Sequence, residues 1–247
     1  VSTASPSPAV SLTLPWPVLM LGLAYAGWRL AGVRTTLMIL AMVATIGLVG
    51  MWKPAMLTLY LVTAAAALCV MIGVPIGIWA SRSQRTAKAV MFVCDTLQTF
   101  PSFIYLIPVI MLFKVGDLSN IVAILAYAAV PAIRFTYLGL RRVPTVTIEA
   151  AKAAGCTRRQ MLFKVELPIA LPEIMLGINQ TIMMALAMTA ITALIGSRDL
   201  GQEIYKALPG ADTGRGLMAG LGIAFIGIIA DRLIGAWAAR RKRELGL

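Results

Sequence analysis

A chain of 247 residues that is 60% hydrophobic and only 13% charged, with a mean hydropathy of +0.87, does not read as a soluble domain, because soluble domains carry about 25% charge. Its net charge of +12 comes from basic residues clustered between apolar runs, which is the pattern of membrane-protein loops and not of a nucleic-acid-binding face. There is no histidine, and Cys69, Cys94 and Cys156 show no metal or disulfide spacing, so the commonest general base and metal ligand are missing.

The chain opens on VSTASPSPAVSLTLP, which is Ser/Pro-rich and has no basic leader segment. Residues 1–12 are expected to form a disordered tail and not a secretory signal. Seven apolar runs follow, each near the roughly 20 residues that a helix needs to cross a bilayer core. They cover about 13–28, 35–52, 55–80, 90–113, 120–139, 174–196 and 217–237. The expected fold is all-α and membrane-integral, a polytopic bundle of about seven transmembrane helices. The first two runs are short, are separated only by RLAGVR, and stand as peripheral helices at 13–52. The main membrane domain covers 53–237, and residues 238–247 form a basic tail.

Lysine and arginine assign the two sides. The stretches Arg29–Arg34, Arg82–Lys88, Arg141–Lys164 and Arg240–Arg243 hold fifteen of the 22 basic residues. The opposite loops hold five, and Arg134 and Arg232 fall inside apolar runs. Cytoplasmic loops carry such an excess. The C-terminus is therefore expected inside and, with seven crossings, the N-terminus outside. The one long inner loop runs from about 141 to 173.

That loop has its own helix signals. Pro144, Thr145 and Thr147 offer a start, with Thr as a cap and Glu149 in the first turn, where its charge suits the helix dipole. Ala150, Ala151, Ala153 and Ala154 favour helix, and Gly155 suits a left-handed stop. Thr157-Arg158-Arg159-Gln160 fits a capping box, and the helix it starts is expected to end before Pro168. An alanine face admits close approach by another surface. A docking element and a plain amphipathic connector are both consistent with this pattern.

Glu149-Ala150-Ala151, three residues, Gly155, nine residues and Val165-Glu166-Leu167-Pro168 together resemble the EAA motif. That motif marks permease subunits of binding-protein-dependent ABC importers, with Val165 standing where the family usually has Ile. The runs VPIGIWASRS, DTLQTFPSFIYLIPVIMLF, PAIRFTYLGLRRVP, LPEIMLGINQTIMMALAMTAITALIG and DLGQEIYKAL resemble the quaternary-amine branch over about 52–237. The resemblance implies the type I importer permease fold with a cytoplasmic coupling helix, in a bacterial inner membrane. It implies a homodimer, two ABC ATPase subunits and a periplasmic or tethered solute-binding protein. Glu149, Ala150, Ala151, Gly155, Leu167 and Pro168 would then couple the pore to the ATPase. The sequence has no GxxxxGK[ST] phosphate loop, so ATP and Mg are expected on the partner, with no cofactor on this chain.

Four charges fall within apolar runs. Asp95 is expected to pair with a basic residue or to cap a helix broken at Pro101, and Arg134 and the Asp231–Arg232 pair are treated in the same way. Asn179, Gln180 and Thr181, with Met184 nearby, either tie helices together or line the pathway. Trp16, Trp52, Trp79 and Trp237 suit an interfacial belt, and no aromatic spacing singles out a cage for a quaternary ammonium group. The polar outer segment is expected to hold a short surface helix, GQEIYKAL. The function expected is the permease of an ATP-driven importer for glycine betaine, proline betaine, choline, carnitine or trimethylamine N-oxide. The alternatives are a permease of the same fold for another solute such as an amino acid, an ion-driven transporter, and a membrane-embedded enzyme. The last lacks any nucleophile or paired-carboxylate constellation.

Overall fold

In hydrocarbon a backbone must satisfy its own N–H and C=O groups, so apolar runs of this length become helices. The computed structural model describes residues 16–244, and no strand occurs among them. The tail expected at 1–12 and the end of the basic tail lie outside the described residues. The helices are α1 (Trp16–Ala31), α2 (Val33–Leu48), α3 (Trp52–Ser81), α4 (Gln84–Thr99), α5 (Leu106–Phe113) and α6 (Asp117–Arg141). They continue as α7 (Thr145–Ala153), α8 (Arg158–Gln160), α9 (Leu167–Thr192), α10 (Leu200–Ala207) and α11 (Thr213–Glu244).

The membrane architecture is helical as expected, but the crossings are not seven uniform ones. Among the described residues, four helical stretches are long and apolar enough to cross a membrane: α3, α6, α11 and the continuous segment Arg158–Ile195 that contains α9. The expected fourth crossing is a pair, α4 and Ser102–Phe113, bent by 101°. At the break, Phe100 and Pro101 are extended, with ψ of 136° and 128°. A proline disfavours helix in the residue before it. The peripheral helix α2 has 16 residues, about 24 Å at 1.5 Å per residue, against a hydrocarbon core of about 30 Å; α1 packs beside it.

The directions of the helices show what the bent pair does. Gly73 of α3 faces Ala132 of α6, and Gly77 faces Thr136 four residues on, so α3 and α6 run parallel. Gly139 of α6 faces Ala170 and Glu173, whereas Gly177 faces Phe135, so α6 and α9 run antiparallel. A chain leaving α3 must return to the far side before α6 begins, and α4 with α5 makes that return. The contacts are close. A Cβ on Gly77 would lie 2.6 Å from Thr136 Cβ and 2.7 Å from the Ile133 carbonyl oxygen. Membrane helices pack through small residues because lipid supplies no hydrophobic drive between them. The core sits where α3, α5, α6 and α9 meet, around Val62, Cys69, Ile124, Leu186 and Met188.

Candidate functional site

The long basic loop between α6 and α9 forms a two-part unit. The extended Pro144 starts α7, and its carbonyl accepts from Thr147 and Ile148 N–H. No threonine side chain caps this helix, contrary to expectation, because Thr145 already lies inside it. Glu149 is therefore the fifth residue of α7 and stands beyond the first turn. No residue of α7 is buried; Glu149 and Ala150 are exposed and Ala151 is half-buried. At the other end, Gly155 adopts φ +77°, its N–H bonds to Lys152, and the Cys156 N–H bonds to Ala151. This double closure is the Schellman stop, which favours glycine at that position. Thr157 and Gln160 then close a reciprocal capping box at 2.8 and 3.4 Å.

The second helix does not end before Pro168, as the sequence reading expects. After α8 a π turn, Met161–Glu166, runs directly into α9, with Leu167 and Pro168 as its first residues. Pro168 lacks an N–H and its ring needs room at the carbonyl four residues back. The wider π turn sits just ahead of it and lets the helix continue. The second helix of the loop is thus continuous with a crossing helix.

Three contacts tie this unit to its surroundings. Arg82 meets Glu166 through both prongs, at 3.2 and 2.6 Å. Arg142 meets Glu173 at 2.7 Å, and Arg141 donates to Gln84 at 3.3 Å. A cavity of about 220 Å³ lies against α7, with Thr145, Ile148, Arg82 and Glu166 in its wall. Sequence reasoning missed the Arg82–Glu166 pair. The available signal was an acid inside a strongly basic loop, opposite an arginine at a helix end.

The residues expected along the pathway do not form one patch. Asn179 donates to Asp231 of α11 at 2.7 Å, Thr181 is buried, and Gln180 is exposed. Met184 accepts from Gln98 of α4 at 3.7 Å through its sulfur. Successive helix positions turn by about 100°, so neighbours in sequence face different partners. Asp95 of α4 forms an ion pair with Arg134 of α6, just ahead of the Phe100–Pro101 break, and Asp95 is 64% exposed. An apolar cleft of about 610 Å³ lies between α1, α2, α3, α9 and α11, with Trp52 and Leu233 in its wall. Its lining is almost wholly apolar and offers no polar chemistry.

In the polar segment after α9, α10 forms as expected, with one face packed into the bundle and Tyr205 and Lys206 exposed on the other. Leu200, Gly201, Glu203 and Ala207 are buried. Asp199 accepts from Ser197 at 2.9 Å and from the Gln202 N–H at 3.1 Å, capping α10. Burial pushes its carboxyl above the usual range despite these bonds. Burial acts the same way on Glu203, but bonds from Arg215 and Lys206, and their charges, outweigh it and hold the carboxyl below its ordinary value.

Residues 73–243 match the family described as "Binding-protein-dependent transport system inner membrane component". The chain is 43% identical over 236 residues to the trimethylamine N-oxide transport system permease protein TmoV of Ruegeria pomeroyi, covering 96% of this chain and 36% of the relative. It is 42% identical over 235 residues to the glycine betaine/proline betaine transport system permease protein ProW of Escherichia coli, covering 95% and 66%. It thus spans about one third to two thirds of the length of these relatives. Among solved structures, an inward-facing MetNI methionine ABC transporter aligns with a TM-score of 0.70 at 22% identity, covering 76% of this chain and 94% of that one. An amino acid ABC transporter crystallised with histidines aligns at 0.65 and 18% identity, covering 82% and 98%. These two likenesses concern the fold. The chain belongs to the binding-protein-dependent transport system inner membrane component family.

Proposed function

We propose that this chain is the transmembrane permease subunit of an ATP-driven importer for a methylated amine osmolyte such as glycine betaine, proline betaine, choline, carnitine or trimethylamine N-oxide. The observation that carries the reading is α7, a helix with no buried residue, held out by a glycine corner and joined through a π turn to a crossing helix. An exposed short helix with an alanine-bearing face suits docking into a partner's cleft. Glu149, Ala150, Ala151 and Gly155 form that docking unit, and Leu167 and Pro168 join it to α9. The names of the relatives at 42–43% identity support the solute class. ATP and Mg belong to two partner ATPase subunits, a second copy of the permease completes the pore, and a solute-binding protein delivers the cargo. The chain itself is a pore subunit of the inner membrane and not an enzyme. The excess of Lys and Arg in one set of loops supports a cytoplasmic C-terminus and an N-terminus outside.

The test is reconstitution of the chain in liposomes with its ATPase subunits and binding protein, followed by uptake of labelled glycine betaine, choline, carnitine and trimethylamine N-oxide. Uptake of at least one that requires ATP is the expected result. Uptake by the chain alone, driven by a sodium gradient without ATP, would overturn the reading. ATP-driven uptake of an amino acid and of none of the amines would overturn the solute class.

A further inference from the structure

Arg82 and Glu166 lie 84 residues apart in sequence and meet as a two-pronged pair. Arg82 ends α3 and begins the elbow into α4, whereas Glu166 closes the π turn of the long basic loop. The Glu166 side chain is only 10% exposed, against 44% for Arg82. The carboxylate is the dependent member, because removing the arginine leaves a buried charge without compensation. A planar fork on a carboxylate resists rotation as well as separation. The neighbouring ties are weaker in kind: Arg142–Glu173 and Arg141–Gln84 are exposed, and such contacts contribute little.

The position of the pair gives it a role. The main packing partner of α7 is the π turn, and the 220 Å³ cavity leaves part of the α7 underside unfilled. A displacement of α7 therefore reaches the π turn first. From there α9 continues directly, but α4 belongs to a different crossing, the one bent by 101°. The Arg82–Glu166 pair joins the π turn to the start of that crossing. Farther along α4, Asp95 pairs with Arg134 of α6 and Gln98 touches Met184 of α9. From these placements we infer that Arg82 and Glu166 are positioning residues that carry displacement of α7 into the α3–α4 elbow, so that the bent crossing moves together with α9. The inference rests on the reading of α7 as the ATPase-docking helix.

The experiment measures ATP hydrolysis and solute uptake together in liposomes holding the complete complex. Arg82→Glu, Glu166→Arg and Glu166→Gln are each expected to lower solute imported per ATP hydrolysed by about tenfold, with the complex assembled and hydrolysis retained; contacts of this kind couple at that scale. The double reversal Arg82→Glu/Glu166→Arg is expected to recover to within about threefold of the wild type. Arg82→Lys keeps the charge and loses the fork, and is expected to fall between. An unchanged ratio in the single variants, or no recovery in the double, overturns the inference. Loss of the assembled complex in the single variants also overturns it, because the pair would then only hold the fold. A wild-type complex that shows no ATP-dependent uptake overturns the importer reading instead.

Discussion

Asn179 of α9 donates its side-chain N–H to the Asp231 carboxylate of α11 across 2.7 Å. Both residues lie in helices long and apolar enough to cross a membrane, where an ionisable group needs a partner. Asn179 therefore ties helices together on this face, while Gln180, one position on, is exposed.

Asp231→Leu is expected to lower the unfolding free energy by about 1 kcal/mol, the scale of an interhelical bond in a membrane. Asp231→Asn is expected to cost less, because its carbonyl still accepts the bond. Unfolding in mixed micelles titrated with denaturing detergent measures both. Equal losses would mean that the charge, and not the accepted hydrogen bond, makes the tie.

Gly77 tests the seam between α3 and α6. A methyl group there meets Thr136 Cβ at 2.6 Å and the Ile133 carbonyl oxygen at 2.7 Å. Gly77→Ala is expected to cost about 1–3 kcal/mol as overpacking. Gly22→Ala in α1, with nothing within 4 Å of the new carbon, is expected to be neutral or slightly stabilising. Thermal unfolding of the two purified variants compares them directly. Similar melting temperatures would contradict the close packing.

Gly155 has open space around it but a φ of +77°. Its constraint is therefore conformational. Gly155→Ala is expected to cost about 1 kcal/mol locally, and Gly155→Asn less, because asparagine tolerates this region. Gly155→Trp adds bulk at the exposed corner and is expected to abolish uptake while the protein remains in the membrane. Glu149→Lys, at an exposed position, is expected to do the same without changing stability. Uptake assays paired with membrane quantification decide the matter; normal transport by Gly155→Trp would remove the coupling role from this loop.

The α10 carboxylate Glu203 gives a pH signature. Its folded-state carboxyl lies below its ordinary value of 4.5, where Arg215 and Lys206 bond it against the opposing effect of burial. A depressed acid stabilises the fold above its ordinary value, and that contribution is lost as pH falls through the lower folded value. The melting temperature of the wild type is expected to drop as pH goes below about 4.5, with Glu203→Gln flatter over the same window. Parallel curves for the two proteins would show that Glu203 does not drive the drop.

Much of the long basic loop was legible because its signals are local. The Schellman stop at Gly155 and the capping box at Thr157–Gln160 depend on bonds within a few residues, so neighbouring residue types predict them. The start at Pro144 was legible too, but Thr145 and Thr147 misled as caps, because the proline carbonyl already serves the first turn. Pro168 misled in the same way. Its ordinary effect is to end a helix, and the π turn that accommodates it has no simple residue signature.

The sequence by itself determined that this chain is a membrane-crossing helical protein with one long basic loop, because chain composition and run length decide whether a segment can leave water. Tertiary structure decided the rest. Parallel packing of α3 and α6 forces the chain to return between them through α4 and α5, and the 101° bend in that pair sits at the extended Phe100–Pro101. The partners of Asp95, Glu166 and Asp231 lie 39, 84 and 52 residues away. Which charge meets which is set by helix crossings made with small residues, and no local pattern encodes a contact across that span.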